Sequence, residues 1–157
     1  MLALRLLATV WSPTTHGVPI NDLNVKLLSR FHTMLYRLTN GRIGRRLVDN
    51  DMLLLTTKGH KTGNEHTVPL LYLRDGGRLV VIASYGGRPS HPQWYRNLLA
   101  DPIASVQILG DTFPVRATTM TAAERSDWWQ KVVDAYADYA EYQSHTEREI
   151  PLVWLDR

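Results

Sequence analysis

The segment DMLLLTTKGHKTGNEHTVPLLYLRDGGRLVVIAS, residues 51–84, decides the fold class. It contains three runs rich in Leu, Val, Ile and Tyr, which predict strands at 51–57, 66–74 and 78–84. Turn residues rather than helical patterns separate these runs, so we expect neighbouring strands to pair antiparallel. Asp75-Gly76-Gly77 is expected to close one hairpin, because glycine accepts the positive φ of a tight turn. The segment therefore predicts an antiparallel sheet.

The remainder of the chain extends this sheet and adds helices around it. Further strands are predicted at 104–109, 112–120 and 150–155, the first two joined by a turn at Gly110-Asp111. A short helix is predicted at 92–100, and a long one begins at the capping box of Thr121 and Glu124 and runs to about Ala140. The long helix is expected to bury three apolar side chains, Trp128, Val132 and Val133.

This order of elements excludes a doubly wound sheet, which needs a helical crossover between each pair of parallel strands. A closed or partly closed β-barrel with peripheral helices is the economical solution. We therefore predict a mainly β (α+β) fold in which residues 21–157 form a single domain.

The front of the chain has a character of its own. Residues 1–46 carry seven Lys or Arg against one acidic residue, Asp22, although the whole chain has a net charge of only +3. Residues 21–40 predict an amphipathic helix, with residues 1–20 as a poorly ordered leader. The helix either packs on the domain, which we favour, or lies on a membrane surface. We expect a cytoplasmic protein, with peripheral contact at the inner face of the cell membrane as the alternative.

Composition excludes several classes of function. The chain has no cysteine, which excludes thiol catalysis, disulfides and cysteine-ligated metals. Its histidines lack metal-ligand spacing, and neither an HExxH motif nor a G-x-S-x-G motif is present. No nucleic-acid-binding motif accompanies the basic front. An enzyme built on this chain would take its chemistry from a bound cofactor.

Two features have both a structural and a functional interpretation. The turn after the first strand combines Gly59 and Gly63 with Lys61 and Thr62, which suits a phosphate, although the residues alone favour a solvated turn. Three tyrosines recur every third position near the end of the long helix, at Tyr136, Tyr139 and Tyr142. Their spacing favours helix packing, and the functional alternative is an aromatic wall over a flat substrate.

Taken together, the motifs resemble those of the deazaflavin-dependent nitroreductase and F420H2-dependent quinone reductase family. The resemblance extends from about residue 25 to 156 and rests on five segments in matching order: LLLTTKGHKTG (53–63), VPLLYLRDGG (68–77), VVIASYGG (80–87), HPQWYRNLLADP (91–102) and YADYAEYQSHTEREIPLV (136–153). It implies a split β-barrel, FMN-binding-like, that uses coenzyme F420, an 8-hydroxy-5-deazaflavin. No metal is implied.

The resemblance also implies the site. The phosphate and tail of the coenzyme would bind at His60, Lys61 and Thr62. The deazaflavin ring would lie against three segments, composed of His66, Thr67, Val68, Pro69, Leu70 and Leu71, of Ile82, Ala83, Ser84 and Tyr85, and of Gln93, Trp94, Tyr95, Arg96 and Asn97. Ser84, Tyr136, Tyr139 and Tyr142 match residues on the substrate side and are the candidate catalytic residues, with Tyr139 also beside the coenzyme.

The implied function is an oxidoreductase that transfers a hydride from reduced F420 to a quinone or a similar flat acceptor. Nitroaromatics are a second substrate class, although Leu71 replaces a tyrosine that some members place near the ring, which favours quinones. The alternative is a non-catalytic module that binds the deazaflavin or a lipophilic ligand at the membrane surface. An FMN-dependent oxidase is disfavoured because the phosphate loop matches the deazaflavin branch.

Overall fold

The computed structural model describes residues 46–47 and 50–157, with side chains from Met52 onward. The strands in this part are β1 (Arg46–Leu47), β2 (Asn50–Lys58), β3 (Glu65–Asp75), β4 (Arg78–Ile82), β5 (Ile103–Ile108), β6 (Asp111–Thr119) and β7 (Leu152–Asp156). The helices are α1 (Gln93–Ala100), α2 (Ala122–Ala135) and α3 (Asp138–Ser144). The predicted leader and the predicted amphipathic helix at 21–40 lie outside the described residues.

Six of these strands close into a barrel. The sheet order is β1-β2-β3-β4-β7-β6-β5, and β2 also pairs with β5, which joins the two ends. Every pairing is antiparallel. The pairing of β2 with β5 removes two sheet edges that would otherwise invite pairing with another chain. The predicted mainly β barrel with peripheral helices is confirmed.

Strands β4 and β7 are buried on both faces, and this creates two cores. Leu79 and Val81 point into the barrel, where they pack with β2, β5 and β6. Val80 and Ile82 point outward and pack beneath α2 and α3. The helices thus cover one outer side of the barrel, which explains why the last strand alternates only weakly in sequence.

The barrel opens along the first half of β3. This strand pairs with β2 through Glu65–Leu71, but it pairs with β4 only from Tyr72 onward. Beyond Ile82 the chain leaves the sheet and forms a tight turn at Tyr85–Gly87. The predicted strand at 78–84 therefore ends two residues early, because its last residues belong to this turn.

The long helix predicted from Thr121 to about Ala140 is wrong in one respect. Its capping box is present, with the Thr121 amide donating to Glu124 Oε2 at 2.8 Å. However, α2 ends at Ala135, Tyr136 is extended (φ −153°, ψ 102°) and α3 starts at Asp138. In a continuous helix, residues three apart point in directions that differ by about 60° around the axis. The break at Tyr136 therefore allows Tyr139 and Tyr142 to pack on the barrel.

Two smaller predictions, the β5–β6 turn and the burial of Val133, also differ from the structure. The loop that joins β5 to β6 consists of Leu109 and Gly110, since Ile108 pairs with Asp111. The positive φ falls on Leu109, at +56°, rather than on Gly110 or Asp111. In α2, Trp128 and Val132 are buried as predicted, but Val133 is only partly buried because it lies at the margin of the covered face.

Candidate functional site

The loop from Gly59 to Gly63 is a tight turn at one end of the barrel. The Gly63 amide donates to the Gly59 carbonyl oxygen at 2.8 Å, and the Gly59 amide donates to the Asn64 carbonyl oxygen at 2.8 Å. A Cβ at Gly59 would lie 2.9 Å from Thr62 Oγ1 and 3.0 Å from the His66 ring, so only glycine fits there without displacement. The turn is therefore defined by packing as well as by its hydrogen bonds.

The loop presents two lysines and a histidine to solvent. Lys58, His60 and Lys61 are exposed, and Glu65 is the acidic residue that follows them in sequence. Lys61 has no hydrogen bond or ion pair with any residue in the described part of the chain. Its ammonium group is therefore available to an anion.

Asn97 fixes this loop to α1. Its side chain is fully buried, and Oδ1 accepts from the His60 amide at 3.1 Å and from Gln93 Nε2 at 2.9 Å. The Nδ1 of His60 lies 2.8 Å from the same oxygen. Asn97 Nδ2 donates to Thr57 Oγ1, itself buried, at 3.0 Å. Because these partners bind both the oxygen and the nitrogen of the amide, Asn97 holds the loop against α1 and β2.

A second feature is the turn that follows β4. Ser84 is 4% exposed, and its hydroxyl has no hydrogen-bond partner among the described residues. Three consecutive residues after it, Tyr85, Gly86 and Gly87, have positive φ angles of 52°, 62° and 75°. A Cβ at Gly87 would lie 2.5 Å from the Tyr142 carbonyl oxygen, so the turn packs directly on α3.

Two of the three tyrosines, Tyr136 and Tyr139, line a crevice on the outside of the barrel. This crevice lies between β3, β4 and the corner where α2 meets α3, and Leu71, Ile82, Tyr136 and Tyr139 are among its lining residues. The three rings contact each other edge to face, with centroid distances of 5.4 Å between Tyr136 and Tyr139 and 5.9 Å between Tyr139 and Tyr142. The three tyrosines therefore pack on the barrel, as their spacing favours, and Tyr136 and Tyr139 also line this crevice. Their role beside a flat substrate stays a prediction.

The phenols are held in their protonated form. Burial and the neighbouring Asp138 and Tyr142 raise the pKa of both Tyr136 and Tyr139. Burial also raises the pKa of Tyr142 to about 12, against a hydrogen bond from Tyr136 that lowers it. The Tyr139 side chain is 5% exposed, and its hydroxyl makes no hydrogen bond within the described residues. These hydroxyls therefore stay protonated over the whole physiological pH range, in the form that can donate a hydrogen bond.

The residues of the predicted ring-binding segments differ in burial and in the core against which they pack. On β3, Val68 and Leu70 pack toward the barrel core, whereas Leu71 packs toward the helices. On α1, Trp94 and Tyr95 are buried in the barrel core, where the Tyr95 hydroxyl lies 3.0 Å from Thr119 Oγ1. Three other members of these segments, His66, Gln93 and Arg96, are exposed, while Ala83 is buried and Thr67 and Pro69 are partly buried.

Sequence reasoning missed two residues that organise the site. Thr57 is 2% exposed and holds Asn97. Arg148 donates to the carbonyl oxygens of Ala83, Ser84 and Arg88, which surround the turn after β4. Nothing in the spacing around Arg148 marks this role, because its partners lie about sixty residues earlier and are backbone atoms. Among the described residues no cluster of His, Asp and Glu could hold a metal ion.

Within the described part of the chain, no helix is both long and apolar enough to cross a bilayer.

Comparison with known proteins shows the family to which the chain belongs. Residues 28–156 match the family model described as F420H(2)-dependent quinone reductase. The F420H(2)-dependent quinone reductase Rv1261c of Mycobacterium tuberculosis is 41% identical over 139 residues, which covers 86% of this chain and 93% of that protein.

Two solved structures extend the comparison to the fold. The F420-H2 dependent reductase FDR-A is 40% identical with a TM-score of 0.61, over 67% of this chain and 93% of that one. A chain described as a domain-swapped dimer is 34% identical with a TM-score of 0.63, over 84% of this chain and 98% of that one. The barrel is thus the split-barrel, FMN-binding-like fold that the sequence predicted, and the chain belongs to the F420H(2)-dependent quinone reductase family.

Proposed function

We propose that the protein is an oxidoreductase that uses coenzyme F420 to reduce a quinone. The coenzyme supplies the hydride when it is bound in its reduced form. The observation that carries the proposal is a pair of buried hydroxyls, those of Ser84 and Tyr139, without hydrogen-bond partners in the described structure. Buried polar groups are nearly always paired, so two such hydroxyls where the turn packs on α3 indicate that a ligand completes them.

The residues at the barrel opening fit this coenzyme. A phosphodiester and an acidic tail need cations and accessible donors, which Lys58, His60 and Lys61 provide around the Gly59 turn. Thr62 is exposed at the same turn. We assign Lys61, His60 and Thr62 to the anionic part of the coenzyme.

We assign the flat ring to the walls of the opening. These walls are the first half of β3, from His66 to Leu71, the segment from Ile82 to Tyr85 and the start of α1, from Gln93 to Asn97. A ring needs a rigid, largely apolar surface, and the two barrel cores supply one beneath Leu70 and Leu71.

The acceptor side would be formed by Ser84, Tyr136, Tyr139 and Tyr142. Reduction of a quinone to a quinol takes up a hydride and a proton, so negative charge develops on the quinone oxygen. A hydroxyl that remains protonated can donate a hydrogen bond to that oxygen and stabilise the charge. The raised pKa of the three phenols keeps such donors in place, and most of the catalytic effect would come from orientation.

Coenzyme binding tests the first part of this proposal. Titration with oxidised F420 should quench tryptophan fluorescence, because Trp94 lies in the α1 segment beside the proposed ring site. FMN at equal concentrations is the control ligand. Quenching by FMN with no response to F420 would refute the proposal and support a flavin-binding protein on the same barrel.

The proposal extends to a second substrate class and to the location of the protein. Nitroaromatics would be secondary substrates, since a flat, electron-poor ring presents a similar surface to the opening. Cytoplasmic placement with peripheral contact at the inner face of the membrane is supported by the basic front of the sequence and by the lipophilicity of quinones. Sedimentation with anionic vesicles, with and without residues 1–40, tests the membrane contact.

A further inference from the structure

The guanidinium of Arg148 converges on the turn that contains Ser84. Nε donates to the Arg88 carbonyl oxygen at 2.9 Å, and Nη1 donates to the Ala83 carbonyl oxygen at 3.2 Å. Nη2 donates to the Ser84 carbonyl oxygen, and Nη1 also lies 3.4 Å from His91 Nδ1. One side chain therefore binds the chain both before and after the turn.

The turn needs such support because its backbone is strained. Tyr85 has a φ of +52°, a left-handed conformation that is unfavourable for a residue with a Cβ. The Tyr85 ring is held by Arg88, whose guanidinium carbon lies 4.8 Å from the ring centroid. Within the turn, the Gly87 amide donates to the Ser84 carbonyl oxygen at 3.1 Å. The same carbonyl that closes the turn is thus the one that Arg148 binds.

Arg148 differs from an ordinary structural arginine nearby. Arg125 also binds the connection between α3 and β7, donating to the Ile150 carbonyl oxygen at 2.8 Å, and it forms an ion pair with Glu149 at 3.2 Å. Arg148 has no carboxylate partner among the described residues, so all of its charge-assisted hydrogen bonds go to the turn and to His91. Burial lowers its pKa, as it does for Arg125.

We propose that Arg148 is a positioning residue that fixes the Ser84 hydroxyl toward the acceptor by clamping the turn around it. This deepens the proposed function and depends on it, since Ser84 is the group that would contact the substrate. A planar fork of donors is required, because three carbonyl oxygens must be reached at once from one direction. A lysine would keep the charge but could not donate to three carbonyl oxygens in this planar arrangement.

The test compares R148A with R125A, which removes a similar arginine from the same connection. Amide hydrogen exchange of the ligand-free protein should show protection at residues 84–88 reduced by about tenfold or more in R148A but not in R125A. With reduced F420 and menadione, kcat should fall by about 10- to 100-fold in R148A. Its Kd for oxidised F420 should rise by a smaller factor than its kcat falls, because the anionic part of the coenzyme is assigned to the Gly59 turn, which R148A leaves intact. R148K should recover little of the lost turnover.

Chemical rescue separates positioning from loss of folding. Guanidinium ion at concentrations far below those that unfold proteins should restore part of the turnover of R148A and none of any deficit in R125A. All measurements are made below the lower of the two unfolding midpoints.

Unchanged exchange protection at 84–88 in R148A would overturn the assignment, as would equal turnover losses in the two variants. If the unsubstituted protein itself fails to oxidise reduced F420, the proposed function fails, and the exchange comparison still decides whether Arg148 clamps the turn.

Discussion

Asn97 offers the sharpest single test of how the coenzyme loop is held. The substitution Asn97→Ala removes the hydrogen bonds from Gln93 and from the His60 amide, as well as the contact with the His60 ring. It also leaves the Thr57 hydroxyl, 2% exposed, without its donor. We expect two effects, a loss of global stability and a loosened loop.

The stability cost follows from burial. A buried polar group left unpaired costs about 1–3 kcal/mol, and each net hydrogen bond adds about 1 kcal/mol. Exposed His60 and Gln93 can bind water instead, so we expect a total of about 3 kcal/mol. For a chain of 157 residues this corresponds to a Tm lower by roughly 6–12 °C.

Thermal unfolding followed by circular dichroism measures the loss of stability. Fluorescence titration with F420 measures how the loosened loop changes coenzyme binding. Gln107→Ala is the matched control, because it removes an amide that makes one hydrogen bond, to the Leu109 carbonyl oxygen, at the exposed β5–β6 end. We expect the control to change Tm by less than about 2 °C. A Tm for Asn97→Ala equal to that of the control would refute the reasoning that the buried amide organises the loop.

Three further predictions concern the cation, the turn and the phenols. Lys61→Ala should weaken F420 binding by about 1–3 kcal/mol, the value of a charge-assisted contact. An unchanged affinity in the titration would show that Lys61 does not contact the coenzyme. Gly87→Ala should destabilise the protein more than Gly86→Ala. Both positions have a positive φ, but only at Gly87 would the new Cβ collide with backbone atoms. Equal free energies of unfolding in urea would contradict the packing of the turn on α3. Tyr142 has a pKa raised to about 12, so the stability it contributes is complete below about pH 10 and is lost as pH rises to about 12. Tyr142→Phe should therefore flatten the alkaline part of the stability curve measured by urea unfolding, and an identical slope would contradict the assignment.

The barrel could be predicted from the sequence because each strand and each turn is specified by residues within that segment. Short apolar runs bounded by Gly and Asp give strands and hairpins without long-range knowledge, and the turn at Gly76 and Gly77 pairs Asp75 with Arg78 as expected. The break at Tyr136 could not be predicted in this way, because it depends on packing against a barrel surface that exists only in the folded protein. The same holds for the opening along β3, which depends on where β4 stops pairing.

The candidate site was predictable only in part. The cations of the Gly59 turn and the three tyrosines stand out in the sequence, but residues alone favoured solvent and packing for them, and the resemblance to a family supplied the functional meaning. Asn97 stays a predicted coenzyme contact, and its hydrogen bonds to the loop and to Thr57 could not be predicted because these partners lie about forty residues away in sequence. Arg148 carried no signal because its partners are backbone carbonyl oxygens.

The central claim is hydride transfer from reduced F420 to a quinone, and anaerobic turnover tests it most directly. Reduced F420 and menadione are mixed with the protein, and the return of the oxidised coenzyme is followed by its absorbance. We predict a rate well above that of the protein-free mixture and a loss of about 10- to 100-fold in Ser84→Ala, larger than its change in coenzyme affinity. A rate no faster than without protein, although the coenzyme binds, would contradict the claim and identify the protein as a deazaflavin-binding module.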